Sequence, residues 1–352
     1  MAPRYANALF LWELRCPFLV PAGETDMKKI LCIQPLHPEA LRLLDARPDI
    51  TYEVVTDFSR ENLLKHVCDA NAITVRDALL PADVLDAAPD LQVVSRHGVG
   101  YDNIPVDYCT RRGIPVTVVG DVNSNSVAEH TFFLMLAVAR SGIRLDAAVR
   151  AGEFSARSKI SCFELRGRRL LVVGYGRIGQ EVAARARAFG MDVVVFDPFA
   201  KRENFPGVAF TDTLDEGLAS ADVVTLHVPL GPETRNLIGA RELALMPEGA
   251  VLINSARGGI VDEDALARSI REGHLCGAGI DTFAVEPLPA DSPLASEHSV
   301  VLSPHSAALS TEALIGMGVM AVRNALAGLD GNLNPALVVN RSVLKEVSHA
   351  SQ

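Results

Sequence analysis

The run Leu170-Leu171-Val172-Val173 leads straight into Gly174-Tyr175-Gly176-Arg177-Ile178-Gly179, and a helical pattern follows over residues 181–188. Each glycine in a G-x-G-x-x-G turn between strand and helix has its own physical role. Gly174 permits the tight turn, Gly176 lets the backbone close on a pyrophosphate, and Gly179 lets the helix pack against the strand. The helix amino end, opened by Arg177 and Ile178, attracts the negative charge. Asp197 ends the run Val193-Val194-Val195-Phe196, 21 residues beyond Gly176. A carboxylate at that distance accepts from a ribose 2′-hydroxyl and repels a 2′-phosphate, so NAD is expected over NADP. Lys201 and Arg202 follow closely and keep accommodation of a 2′-phosphate open.

Three later segments place polar groups where a parallel sheet presents its strand ends. They are Asn254-Ser255-Ala256-Arg257-Gly258-Gly259, Asp281-Thr282-Phe283-Ala284-Val285-Glu286-Pro287, and Ser303-Pro304-His305-Ser306-Ala307-Ala308. Ligands of open α/β sheets bind beyond the carboxyl ends of the strands. Arg257, Glu286 and His305 are therefore expected to converge on one cleft beside the cofactor. In the first part of the chain, Gly98-Val99-Gly100 follows another strand-like run, where successive amides can form an anion nest. No His, Cys, Asp or Glu cluster has metal-ligand spacing, so no metal is expected.

The elements that must hold these groups alternate in type. Strand-like runs at 30–33, 52–55, 72–75, 91–94 and 116–118 are separated by helical patterns at 38–44, 61–68 and 81–87. A long apolar helix is expected over 126–141, with Ser126 as its cap and Glu129 completing a capping box. A second series follows, with strands near 169–173, 192–196, 223–226, 250–253, 277–280 and 300–302, and then a helix over 310–329. Strand and helix alternation of this kind indicates an α/β chain with two doubly wound parallel sheets.

Composition agrees. A length of 352 residues suggests two domains, and 49% apolar with 22% charged residues can build two cores. The net charge of −10 disfavours nucleic acid and anionic membrane surfaces as partners. Six cysteines without a C-x-x-C pair fit a reducing cytoplasm rather than a disulfide framework. No run is read as a membrane span. Residues 1–26 break the rhythm and are read as a loose extension, with Met27 a candidate alternative start.

Taken together, these segments resemble the D-isomer-specific 2-hydroxyacid dehydrogenase family, in the branch of phosphoglycerate dehydrogenases and hydroxypyruvate reductases. The resemblance runs from about residue 27 to 340 and is carried by Ser95-Arg96-His97-Gly98-Val99-Gly100-Tyr101-Asp102-Asn103-Ile104, the glycine turn, Ser255-Ala256-Arg257-Gly258-Gly259-Ile260-Val261-Asp262, Glu286-Pro287 and Pro304-His305. It implies a Rossmann NAD-binding domain (126–308) inserted in a flavodoxin-like substrate domain (27–125 and 309–340), with a tail over 341–352. It also implies that the two domains close over the substrate and that the chain forms a homodimer.

The resemblance further implies a catalytic set of Arg257, Glu286 and His305. Arg257 suits the carboxylate and carbonyl of a 2-oxo acid, His305 suits proton exchange, and Glu286 favours the imidazolium. Asp281 matches the position that bonds the nicotinamide carboxamide. His227 and Pro229 match the adenine and ribose side, and Ser255 and Ala256 share the cofactor loop. His130 and Glu129 match residues of the interdomain helix. Gly98, Val99 and Gly100 match the nest for the substrate carboxylate.

Arg76 and Arg96 match positions that face a substrate phosphate. The lysine that accompanies them in phosphoglycerate dehydrogenases is absent, and Asp77-Ala78-Leu79-Leu80 stands there instead. The expected reaction is NAD-linked interconversion of a small D-2-hydroxy acid and its 2-oxo acid. Expected substrates are 3-phosphoglycerate, or hydroxypyruvate and glyoxylate, with 4-phosphoerythronate-type acids as alternatives. A reading of another class is an NAD-binding corepressor-like protein that recognises partner peptides.

Overall fold

The computed structural model describes residues 27–344. The expected extension at 1–26, and the end of the expected tail at 345–352, lie outside the described residues. Twelve strands are present among the described residues: β1 (Lys28–Ile33), β2 (Ile50–Val55), β3 (Ala72–Val75), β4 (Val93–Arg96), β5 (Val116–Thr117), β6 (Arg169–Val173), β7 (Asp192–Phe196), β8 (Ala209–Phe210), β9 (Val223–Leu226), β10 (Val251–Asn254), β11 (Gly277–Ile280) and β12 (Val300–Leu302). The chain divides into two compact units, one containing the described residues up to Gly120 and from Met317 onward, the other spanning Asp121–Gly316. These limits lie several residues from those the sequence suggests, at 125/126 and 308/309.

The smaller unit holds an all-parallel sheet in the order β2-β1-β3-β4-β5. This is the flavodoxin-like winding, whose ligand crevice lies where strand order reverses, between β1 and β3. Leu31, Ile33, Ile73 and Val75 face one layer with Leu63, Val84 and Leu85. Ile30, Cys32, Ala72 and Val93 face the other, with Leu44, Val322, Ala325 and Leu329. Alternate residues of each strand thus find separate cores, which is why these runs read as continuously apolar.

The larger unit has the parallel order β12-β11-β10-β9-β6-β7-β8. Counted from β6, this is the doubly wound Rossmann order with one strand added, and its reversal lies between β6 and β9. Leu171, Val173, Val224, Leu226 and Leu252 pack against Leu243 and Leu266 on one face. Leu170, Val172, Val223, Val251 and Ile253 pack against Leu134, Met135, Val182 and Ala186 on the other.

The long helix of the larger unit departs from expectation. It spans Ser124–Ala139, starting two residues before the expected Ser126, and its Asn123 cap makes no side-chain bond. Ser126 lies inside the helix and donates to Ala307 O at 2.8 Å, while Glu129 accepts from Asn125 at 2.9 Å, so the expected capping box does not form. Ser126 is taken by a residue distant in the chain, and Glu129 by a neighbour one turn back on its own helix. The Thr311–Leu329 helix lies where the sequence places it, at 310–329, and by length and composition is apolar enough to cross a membrane. Its Ala321, Val322 and Ala325 are instead fully buried in the smaller unit.

His97, just after β4, is 4% exposed. Burial, with Arg76 and Arg96 nearby, pushes its imidazole from 6.5 down to about 4, so the fold holds it neutral. Below pH 6.5 the unfolded chain binds a proton that the folded chain refuses. The stability linked to His97 is therefore complete above about pH 6.5 and is lost as pH falls toward 4. At pH 5 the loss is on the order of 2 kcal/mol. Thermal melts at pH 7.5 and 5.0 should show a larger acid shift for wild type than for His97→Gln, and equal shifts would rule the linkage out.

Candidate active site

At the β6–β9 reversal, Gly174 has φ +92°, and a Cβ there would lie 2.7 Å from the His227 carbonyl oxygen. At Gly179 a Cβ would run into the Gly174 carbonyl oxygen. Gly176 differs, since a Cβ there meets nothing within 4 Å. It caps the Arg177–Ala188 helix without a side-chain bond. The exposed backbone at Gly176 and Arg177 and the positive helix end form an open cradle that fits a dinucleotide pyrophosphate. Ile178 is half-buried behind it.

The Asp197 carboxylate is positioned by three backbone amides. Tyr175 N donates to Oδ2 at 2.8 Å, and Phe199 N and Ala200 N donate to Oδ1 at 2.9 and 3.1 Å. A carboxylate has about four acceptor sites, so one is left for a ribose hydroxyl. Arg202, read from the sequence as a potential phosphate ligand with Lys201, is turned elsewhere. Its guanidinium bonds Asp212 Oδ1 at 2.8 Å and Thr211 O at 2.9 Å and lies over the Phe210 ring. Lys201 is exposed.

After β9, His227 N donates to Val173 O at 2.8 Å and ties the two sides of the reversal together. Its Nε2 lies 2.9 Å from Thr225 Oγ1, and its Nδ1 is enclosed without a protein partner. Enclosure pushes the imidazole down to about 3, so it stays neutral. Pro229, two residues on, is exposed.

Beyond β10, Asn254 shapes the arginine loop: its Oδ1 accepts from Ala256 N at 3.1 Å and its Nδ2 donates to Arg257 O at 2.9 Å. Ser255 Oγ lies 2.7 Å from Thr131 Oγ1. Arg257 Nη1 donates to Ala256 O at 2.7 Å. Gly258 lies directly on the backbone that follows β11, where a Cβ would be 2.6 Å from Ala284 N. The arginine loop and the Glu286 loop are therefore in backbone contact.

Glu286 Oε1 accepts from Phe283 N at 3.0 Å, and the carboxylate accepts from His305 Nδ1, 2.9 Å from Oε2 and 3.1 Å from Oε1. This contact assigns the Nδ1 proton of His305 to Glu286 and leaves Nε2 for other chemistry. Both side chains are exposed, 42% for His305 and 38% for Glu286. A pocket of about 560 Å³ adjoins them, lined by Phe283, Pro287, Leu288, Leu302, Ser303 and Pro304.

Asp281, by contrast, is fully buried. Burial alone would raise its carboxyl, but bonds from His130, Ser303, Ser306 N and Ala307 N outweigh it and hold it below the usual carboxylate range. Three of those bonds run to the His305 segment and the fourth to the Ser124–Ala139 helix. The parts played by His130, Ser303 and Asn254 escape a reading of the sequence. Asn254 carries a signal, being a side-chain amide that can form an Asx-type turn at a strand end; for the other two, nothing local points to the bond they make with each other.

In the smaller unit, Arg76 and Arg96 stand at the ends of β3 and β4. Arg76 Nη1 reaches Pro35 O at 3.3 Å, and Gln34 Oε1 shapes the loop by accepting from Asp77 N and Ala78 N at 2.8 and 2.9 Å. Arg96 bonds His97 O and has Asp77 Oδ1 3.3 Å from its Nη2. The nest expected at residues 98–100 is smaller than the sequence suggests. Gly98 is buried and its N–H donates to Arg96 O at 3.0 Å, so only the amides of the half-buried Val99 and Gly100 are left to form it.

Comparison with known proteins places this arrangement. The NAD-binding domain of the D-isomer specific 2-hydroxyacid dehydrogenases matches residues 132–307. A D-3-phosphoglycerate dehydrogenase of Methanocaldococcus jannaschii is 40% identical over 310 residues, 87% of this chain and 58% of the relative. The chain thus spans little more than half the length of that relative. A glyoxylate reductase of Thermofilum pendens is 40% identical over 294 residues, 82% of this chain and 86% of the relative. The crystal structure of a glyoxylate reductase from Paecilomyes thermophila superposes with a TM-score of 0.81 at 29% identity, covering 89% of this chain and 98% of that one. A Rossmann sheet with an open dinucleotide cradle, a flavodoxin-like companion and these relatives lead to one conclusion: the chain belongs to the D-isomer-specific 2-hydroxyacid dehydrogenase family.

Proposed function

We propose that the chain is an NAD-dependent oxidoreductase that interconverts a small D-2-hydroxy acid and its 2-oxo acid. The observation that carries this reading is the exposed His305–Glu286 pair, set beyond the same sheet edge as Arg257 and the dinucleotide cradle. When bound, the reduced nicotinamide supplies a hydride to C2 of the 2-oxo acid. Arg257 holds the carboxylate and draws electron density toward the carbonyl oxygen. His305 Nε2 delivers the proton to that oxygen, and Glu286 steadies the ring through Nδ1. Oxidation reverses each transfer. In the smaller unit, taken by itself, the amides of Val99 and Gly100 are the candidate anion nest.

Asp197 and the sequestered Arg202 favour NAD over NADP. Asp77 beside Arg96 favours an unphosphorylated acid such as hydroxypyruvate or glyoxylate, because its carboxylate competes with a phosphate for the guanidinium. The test is NADH and NADPH oxidation against glyoxylate, hydroxypyruvate, pyruvate and phosphohydroxypyruvate. NADH should exceed NADPH in kcat/KM by at least ~10-fold, a difference of about 1.4 kcal/mol. Turnover confined to phosphohydroxypyruvate would transfer Arg76 and Arg96 to phosphate binding. Silence toward every acid would remove the reading.

The partner proposed is a second copy of the chain. No residue of the Gly142–Arg150 helix is buried, yet Ile143 is 53% exposed, Val149 59% and the neighbouring Phe154 64%. Exposed large apolar side chains on one short stretch of chain favour a covering partner. Sedimentation should give twice the chain mass for wild type and the chain mass for Ile143→Asp/Val149→Asp. A monomeric wild type would remove the proposal.

A further inference from the structure

His305 has φ +52°, a left-handed conformation that side-chain-bearing residues seldom adopt. Something must hold it there. Its backbone N–H donates to Asp281 O at 2.7 Å and lies 3.0 Å from Ser303 O. The buried Asp281 carboxylate grips the segment on both sides of His305. It takes the Ser303 hydroxyl and Ser306 N (2.9 Å) on Oδ1, and Ala307 N (3.0 Å) on Oδ2.

The Ser124–Ala139 helix, which packs on β10, β11 and β12, reaches the same segment at two points. Ser126 Oγ donates to Ala307 O at 2.8 Å, and His130 Nε2 lies 2.8 Å from Ser303 Oγ and 3.3 Å from Asp281 Oδ1. Residues four apart share one helix face, so a single face pegs the segment before and after His305. The proton arrangement follows if the Asp281 carboxylate is ionised. The one hydroxyl hydrogen of Ser303 goes to Asp281, so Ser303 Oγ accepts from His130 Nε2–H. Removing His130 leaves a buried hydroxyl oxygen short of a donor and a buried carboxylate short of compensation.

We infer that His130 is a positioning residue for the proposed proton exchange: through Ser303 and Asp281 it holds the 303–307 segment so that His305 meets Glu286. It acts through the loop and not by contact with reacting atoms. The inference rests on the reading in which His305 exchanges the proton, and the experiment separates the two.

Wild type, His130→Phe, His130→Gln, Ser303→Ala and His305→Ala are assayed as full chains with NADH and either glyoxylate or hydroxypyruvate. In parallel, the histidine Cε1–H signals are recorded by NMR, with His305→Ala identifying the His305 signal. His130→Phe should lower kcat roughly 30- to 100-fold, the scale of a small misplacement of a reacting group. KM for the acid should change less than about threefold, with NADH affinity kept. Glutamine presents an amide donor close to the place of Nε2, so His130→Gln should recover kcat to within about fivefold of wild type. The His305 signal should move in His130→Phe and return in His130→Gln.

If His130→Phe keeps kcat within about threefold while His305→Ala is inactive, the positioning role is wrong and the proton-exchange reading stands. If His305→Ala keeps wild-type turnover, the proton-exchange reading falls. Where wild type turns over neither acid, the NMR signal decides, and an unmoved His305 resonance in His130→Phe overturns the inference. Should His130→Phe not fold, Ser303→Ala carries the same expected loss and the same refutation.

Discussion

His305→Ala lowers kcat by about a thousandfold with NADH affinity unchanged. The size follows from the chemistry, since a positioned acid–base group contributes roughly 10²- to 10⁴-fold, and no second imidazole is bonded to Glu286 among the described residues. Cofactor affinity is retained because the cradle at Gly176 and the Asp197 carboxylate depend on the β6 and β7 ends, with no hydrogen bond to His305. Glu286→Gln keeps a hydrogen-bond partner for Nδ1 and loses only the charge, so its loss should be smaller than that of His305→Ala. Stopped-flow NADH fluorescence separates binding from turnover. Turnover within tenfold of wild type in His305→Ala would show that the proton comes from elsewhere.

Gly179→Ala has the largest expected effect on the cofactor domain. The added Cβ has no room, since it runs into the Gly174 carbonyl and comes within 3.3 Å of Val172 Cγ1. Gly174 cannot easily retreat: its N–H is bonded to Phe196 O at 2.9 Å, and even a Cβ on it would come within 2.7 Å of His227 O. The helix must therefore lift from β6. Overpacking of this kind costs about 1–3 kcal/mol, and the displaced amides should weaken NADH binding by at least ~100-fold, about 2.8 kcal/mol. Gly176→Ala is the control. Its Cβ meets open space at φ −70°, so the melting temperature should hold while NADH binding falls, because the methyl occupies the cradle. Calorimetry and NADH titration distinguish the two variants. Wild-type binding by Gly179→Ala would mean that the turn does not hold the pyrophosphate.

Much of this organisation is legible in the chain itself because the controlling forces act between neighbours. The strands at Arg169–Val173, Asp192–Phe196, Val223–Leu226 and Gly277–Ile280 match their expected spans, since buried parallel strands leave short continuous apolar runs. Short amphipathic helices such as Leu214–Ser220 and Ala240–Leu245 are missed, because six or seven residues span barely two helical turns and leave little periodicity to detect. The Gly142–Arg150 helix is missed for another reason: it buries no residue and so carries no core-facing stripe.

Residue order alone is enough for the α/β class and the dinucleotide turn with its acid at Asp197, while Arg257, Glu286 and His305 are singled out by the family resemblance of their segments. The class and the turn are local matters of residue type and spacing along a strand, turn and helix. Where hydrogen bonds across long chain separations go is settled only by packing in three dimensions. Packing moves Ser126 from a helix cap to the Ala307 carbonyl, directs Arg202 to Asp212, commits the Gly98 amide to Arg96 O and puts Asp77 beside the Arg96 guanidinium. It also brings His130 to Ser303 across 173 residues of chain. Buried polar groups must find partners wherever packing places them, and that choice is made only when the layers come together.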